Sequence, residues 1–130
     1  MNNVSINDLA STITNELQKY SREVTEGIKK SVDTVANETN KEIKRHIDFK
    51  QRTGKYVKAF RIKNAYENGY KKVNVWYVAG DQYRLTHLLE KGHALRTGGR
   101  TKAFPHIKYG EELARKRMAE LAEEAIKNGH

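Results

Sequence analysis

The fold is decided by residues 57–79, VKAFRIKNAYENGYKKVNVWYVA. Val57–Tyr66 and Lys71–Ala79 are runs rich in Val, Ile, Phe, Tyr and Trp, whose branched or flat side chains suit the pleated backbone of a strand. Asn68-Gly69 stands between them, the dipeptide selected by a tight hairpin with φ > 0 at both central positions. The stretch therefore predicts an antiparallel hairpin. Side chains alternate along a strand, so Val73, Val75 and Tyr77 share one face and Trp76 and Val78 the other. Both faces are apolar. One is expected to meet the helices and the other a further layer or a neighbouring molecule.

Upstream, the pattern changes period. Ile6, Leu9, Ile13, Leu17, Tyr20, Val24, Ile28, Val32, Val35, Thr39, Ile43 and Ile47 recur in steps of three and four. The mean, about 3.7 residues per turn, is that of a straight helix rather than a left-handed coiled coil. Ser5 and Asp8 have the spacing of a helix cap pair. An unbroken helix over this stripe would be about 63 Å long, longer than a globule of 130 residues. It therefore either projects or bends, and a bend is expected at Gly27, where glycine weakens a helix interior. The stripe is narrow and needs a partner surface, either its own sheet or another subunit.

Downstream, Gln51–Lys55 reads as a break containing Gly54, and Gly80-Asp81 ends the hairpin. Tyr83–Lys91 reads as a short helix closed by Gly92. His93–His106 is basic and glycine-rich, an exposed loop or loose hairpin that holds the only proline, Pro105. Tyr109–Asn128 reads as a final helix whose apolar face is Ala114, Met118, Leu121, Ala122 and Ala125. The expected fold class is α+β, with a long N-terminal helix, a central antiparallel sheet, a short helix and a C-terminal helix. One domain over residues 1–130 is expected, with a helical segment at 1–50 and a β-rich core with the last helix at 51–130.

Composition removes several functional classes. The chain has no cysteine, which excludes a disulfide scaffold, a thiolate metal site and a cysteine nucleophile. No apolar run approaches the roughly 20 residues of a membrane-spanning helix, and MNNVSINDLA has neither the basic start nor the apolar stretch of a secretory leader. The net charge is +9, and it is concentrated. Residues 1–50 carry 8 basic and 8 acidic side chains, residues 51–110 carry 13 and 3, and residues 111–130 carry 4 and 5. A basic middle segment points to a polyanion or an acidic protein surface.

His87, Glu90 and His93 are the densest metal-like cluster. Six positions apart on a helix, the histidines lie about 120° out of alignment, so no metal site is expected. Arg96-Thr-Gly-Gly-Arg100 could present backbone N–H groups to an anion, but lacks the terminal Lys-Ser/Thr of a phosphate-binding loop. Only Glu67, Asp81 and Glu90 are acidic in the middle segment. No catalytic residues and no cofactor are assigned, and an enzyme is not expected. Nucleic-acid binding is the serious alternative. Lys55, Lys58, Arg61, Lys63, Lys71 and Lys72 would line the hairpin, and Arg96, Arg100 and Lys102 the 95–104 loop. Tyr56, Phe60, Tyr66, Tyr70 and Trp76 are interleaved as base-stacking candidates. Arg96, Arg100, Lys102, Lys55 and Lys58 are the residues expected to meet a partner or polyanion.

Three blocks carry a family likeness. They are Arg52-Thr-Gly-Lys-Tyr-Val-Lys-Ala-Phe60, Tyr83–His93 (YRLTHLLEKGH) and Lys102–Ile107 (KAFPHI). In order and spacing, residues 52 to about 125 resemble the small neck and tail-completion proteins of long-tailed bacteriophages. Tyr56-Val57 stands where that family commonly has Leu, and Tyr109-Gly110 where it has Pro-Ala. The resemblance implies a non-enzymatic subunit that forms a ring between head and tail components, with neighbouring head-completion and tail proteins as partners. It implies residence in the virion after assembly in the host cytoplasm, with no membrane, and the basic loop would then order against an acidic neighbour or face the DNA path. The residues it carries over are structural: Gly54 and Gly92 at turns, Glu90 and His93 in the second block, and Pro105-His106 before the last helix.

Overall fold

A computed structural model describes residues 6–47, 49 and 54–129. Ser5, half of the expected cap pair, and residues 51–53 of the expected break lie outside the described residues. The order is α1 (Ile6–Arg45), a single helical turn α2 (Lys55–Lys58), β1 (Phe60–Glu67), β2 (Lys72–Val78), a 3₁₀ turn at Gly80–Gln82, α3 (Tyr83–Lys91) and α4 (Ile107–Lys127). The fold is α+β, and its sheet is the β1–β2 hairpin.

The periodic stripe of α1 divides into two parts. From Tyr20 onward its members are covered, with Val35 and Ile43 fully buried. The preceding turns, residues 8–19, are exposed at every position. The helix projects, and it runs through Gly27 without interruption. The expected bend is corrected by packing: a Cβ on Gly27 would lie 3.2 Å from the Ala125 Cβ. Glycine there lets α4 approach α1 closely. Gly110 does the same at the far end of the crossing, where a Cβ would lie 2.5 Å from Ile43 Cγ1. Gly129 lies against Val24 and Tyr20, and the Tyr20 hydroxyl donates to the Ile126 carbonyl at 2.7 Å. The two helices are thus antiparallel, and α4 ends beside Tyr20. Arg117 on α4 donates through Nε and Nη2 to both carboxylate oxygens of Glu38 on α1, at 2.8 and 3.2 Å.

The hairpin packs on the opposite flank of α1. Its register pairs Phe60 with Val78, Ile62 with Trp76 and Asn64 with Asn74 on the inner face. Trp76 Nε1 donates to Asn40 Oδ1 at 3.0 Å, and Trp76 meets Phe60 edge-on at 4.8 Å. A bulge at Ala65 then shifts the register by one, which swaps the faces of the residues that follow. Glu67 consequently faces α1, opposite Lys72, which alternation along β2 already puts on that face. Lys72 Nζ lies 2.7 Å from Asp33 Oδ2, and Lys29 Nζ 3.4 Å from Glu67 Oε2. Ile43, Tyr56, Ala59, Phe60 and Val78 form the buried cluster, with Ile47, Phe49, Val57, Trp76 and Leu89 against it.

Several boundaries, and the turn between the strands, differ from expectation. The first strand begins at Phe60, not Val57, because the chain first makes one helical turn that buries Tyr56. The last helix begins at Ile107, two residues earlier than its local pattern indicates. The hairpin turn also differs: neither Asn68 nor Gly69 has positive φ. The Asn68 side-chain oxygen instead accepts the Tyr70 and Lys71 backbone N–H groups, both at 2.8 Å. The turn spans Asn68 to Lys71, closed by Asn68 N–H to the Lys71 carbonyl at 2.9 Å. Asn68→Ala is expected to lower unfolding free energy by about 1–2 kcal/mol through the lost acceptor. Gly69→Ala should change it by less than about 0.5 kcal/mol. Urea unfolding of both variants checks this, and a larger loss at Gly69 would restore the glycine-dependent turn.

Candidate functional site

The residues of the family-like blocks converge on one knot. Gly54, with φ +73°, starts the α2 turn and sends Tyr56 inward. Its hydroxyl lies 2.7 Å from His106 Nε2 and 3.4 Å from Thr86 Oγ1. His106 is fully buried. Its Nδ1 lies 2.7 Å from the Phe104 carbonyl and 3.1 Å from Glu90 Oε1. Carbonyl and carboxylate only accept, so Nδ1 carries a proton, and Nε2 shares a hydrogen bond with the Tyr56 hydroxyl. Both ring nitrogens are engaged and no face is open to a substrate. Phe49 closes the cage, 5.8 Å from His106 and 5.4 Å from Phe104.

Glu90 also ends the search for the cap of α4. His106 at the N-cap supplies no side-chain cap. Glu90, at the end of α3, accepts the backbone N–H groups of His106 and Ile107 on Oε1, both at 3.0 Å, and of Lys108 on Oε2 at 3.1 Å. One carboxylate thus serves three of the four unpaired donors of that helix, at the positive end of its dipole. Burial pushes the Glu90 carboxyl up, but the three backbone donors and His106 outweigh burial and hold it below its ordinary value. Burial likewise raises the Tyr56 hydroxyl, which stays protonated as a donor.

Gly92 and His93 form the base of the loop. Gly92 has φ +71°, and a Cβ there would meet the Thr101 carbonyl oxygen at 2.5 Å. The Thr101 N–H donates to the His93 carbonyl at 2.8 Å, and the His93 N–H to Thr101 Oγ1 at 2.9 Å. Ala94 and Arg100 then bridge, and Leu95 N–H donates to the Gly99 carbonyl at 3.0 Å. The segment is a small hairpin, the second of the two forms expected for it.

The candidate contact residues are distributed over two segments. Arg96, Arg100 and Lys102 are exposed on the small hairpin and the segment leaving it, and Lys55 and Lys58 are exposed on α2. The base-stacking candidates are not gathered with them. Tyr56 and Phe60 are buried, and Trp76 lies against α1. Tyr66 and Tyr70 alone of the five are exposed. Lys72 faces Asp33 and Glu67 rather than solvent. Among the described residues no three His, Asp or Glu side chains are placed to hold a metal ion. The cap by Glu90 was missed because it acts across 16 to 18 positions of sequence. The only local sign was the lack of a Ser, Thr, Asp or Asn before α4.

Two outcomes test the knot. Tyr56→Phe leaves His106 Nε2 buried without its hydrogen-bond partner and is expected to cost about 1–3 kcal/mol, read by urea unfolding. Glu90→Gln should also cost about 1–3 kcal/mol, since charge-assisted bonds are the stronger class. Because folding lowers the Glu90 value, its contribution is complete above the unfolded value of about 4.3 and fades as pH falls through the folded one. The difference between native chain and Glu90→Gln should therefore shrink below about pH 4.3. A difference constant down to pH 2 would show that the charge is not what holds the helix.

No helix among the described residues is long and apolar enough to cross a membrane. In comparisons with known proteins, no curated protein and no solved structure matched. A family model did match, over residues 11–92, under the description "Bacteriophage HK97-gp10, putative tail-component". The match runs from the projecting part of α1 through the hairpin and α3 to Gly92, and the third block, Lys102–Ile107, lies beyond it. It takes in the larger part of the chain, which belongs to this family of bacteriophage tail components.

Proposed function

We propose that the protein is a single-domain, non-catalytic subunit of the neck or tail-completion region, which forms a ring and docks between head and tail components. Family membership supports a structural role in the virion. The observation that carries the finer reading is the projecting start of α1, where Leu9, Ile13 and Leu17 are 53, 51 and 63% exposed. Aliphatic side chains in one stripe at this exposure call for a protein surface to cover them. Arg96, Arg100 and Lys102, with Lys55 and Lys58, would meet an acidic neighbour or face the DNA path. The chain would assemble in the host cytoplasm. A nucleic-acid-binding module is the poorer fit, since three of its five stacking aromatics face the interior.

Native mass measurement and negative-stain imaging, with the neighbouring head-completion and tail proteins added, are expected to show rings. A strict monomer that also fails to bind those proteins would overturn the proposal. Arg96→Ala with Arg100→Ala is expected to weaken docking while unfolding free energy stays within about 0.5 kcal/mol, as for exposed sites generally. Docking unchanged by the pair would remove the small hairpin from the contact.

A further inference from the structure

Resting on the ring reading, we infer its contact: copies associate head to tail, with the projecting turns of α1 of one copy lying along the outer face of the β1–β2 hairpin of the next.

Among the described residues, none covers either surface. On the helix, Leu9, Ile13 and Leu17 recur every four residues and make one stripe. The overhang, residues 6–19, is about 21 Å long. On the sheet, Val75 and Tyr77 are 36 and 37% exposed and Tyr66 is 51% exposed. They lie on the face opposite Phe60, Ile62, Trp76 and Val78. A strand of seven residues is about 24 Å long. Two strands with their side chains present a face about as wide as one helix, roughly 10 Å. The two surfaces match in length and width.

A chain cannot make this contact with itself. The inner face of the hairpin is fixed to α1 through Lys29, Asp33 and Asn40. Its outer face therefore points away from that helix. The overhang continues the same helix without a break, so it cannot fold back over the outer face. The occupant has to come from a second molecule.

Charge selects the same pairing. The charged residues of the overhang are Asp8, Glu16 and Lys19, and Glu16 lies within the stripe, between Ile13 and Leu17. The outer sheet face carries Arg61 and Lys63, with Lys63 Nζ 5.3 Å from the Tyr77 ring centre. The nearby acid, Glu67, is turned inward by the bulge towards Lys29 and Lys72. An apolar stripe with a net negative charge thus faces an apolar face bearing only positive charge. Because the two patches differ, the contact is heterologous and propagates until the rotation closes it. Each patch is on the order of 200 Å², well below the roughly 800 Å² per partner of a stable pair. Closure of the ring or docking on neighbours is needed to hold it.

The cysteine-free chain allows a direct test. Ile13→Cys and Val75→Cys, both exposed positions, are combined in one full-length chain and oxidised with the neighbouring neck proteins present. A ladder of covalent multimers is expected from the double variant, and nothing beyond dimers from either single variant. Glu16→Lys and Lys63→Glu should each lower the ladder yield about tenfold, and their combination should recover most of it. Rings seen by native mass without the ladder would overturn this contact and leave the ring standing. So would a ladder obtained with Ala36→Cys in place of Val75→Cys. Ala36 lines the groove of about 310 Å³ between α1, β2 and α4, the competing seat for a neighbour's helix. Neither rings nor ladder would overturn the contact and the ring together.

Discussion

One carboxylate holds the C-terminal half of this molecule in place. Helix α4 has no cap in its own sequence, and an uncapped helix end under a protein surface leaves donors without water or partners. Glu90 reaches them from the end of α3 and takes three, while the same oxygen contacts the imidazole that fills the interior. The cap fixes where α4 starts. That start sets Gly110 against Ile43, and with it the whole antiparallel crossing over α1. It also pins the two ends of the segment from Gly92 to His106, so its tip can vary without disturbing the helix that follows. The rest of the architecture is an amphipathic helix with a cover on each flank, and one of those covers depends on this contact.

Much of that architecture was legible in the sequence because it is periodic. The stripe of α1, the alternation in Val73–Val78 and the short helix before Gly92 are local patterns, and they predict their elements. What could not be read depends on contacts distant in sequence. Val57 and Ala59 have strand-like neighbours, yet residues 55–58 coil into a turn because burying Tyr56 against His106 outweighs local preference. Asn68-Gly69 marks a turn correctly, but the side chain of Asn68 does the bending instead of the backbone of Gly69. Gly27 reads as a weak point along one helix and is a contact point between two. For the site, the sequence located the exposed basic residues but could not separate aromatics that face solvent from those that face the core. That separation follows from strand register, and the bulge at Ala65 changes the register midway.

The uncovered surfaces follow from the same economy. A two-stranded sheet with helices on one side only has a second face by construction, and most proteins cover it with another layer. Here α4 is committed to the far flank of α1, and α3 lies at the end of the hairpin, so nothing among the described residues reaches that face. The projecting turns of α1 are left over for a related reason: α4 ends beside Tyr20, well short of the start of its partner. Membership of a family of tail components gives such surfaces a setting in which other subunits are close at hand.

The antiparallel union of α1 and α4 has a consequence for how the molecule is made. The contacts of Tyr20 and Val24 with residues near 126 to 129 join parts of the chain that leave the ribosome far apart in time. At about 5–20 residues per second, the first helix waits on the order of several seconds for the last. During that interval the face of α1 that α4 will cover is bare, and the hairpin covers only the other flank. Native docking is therefore a late step in biosynthesis, and a nascent chain lacks the rigid pair of helices from which any assembly would have to be built.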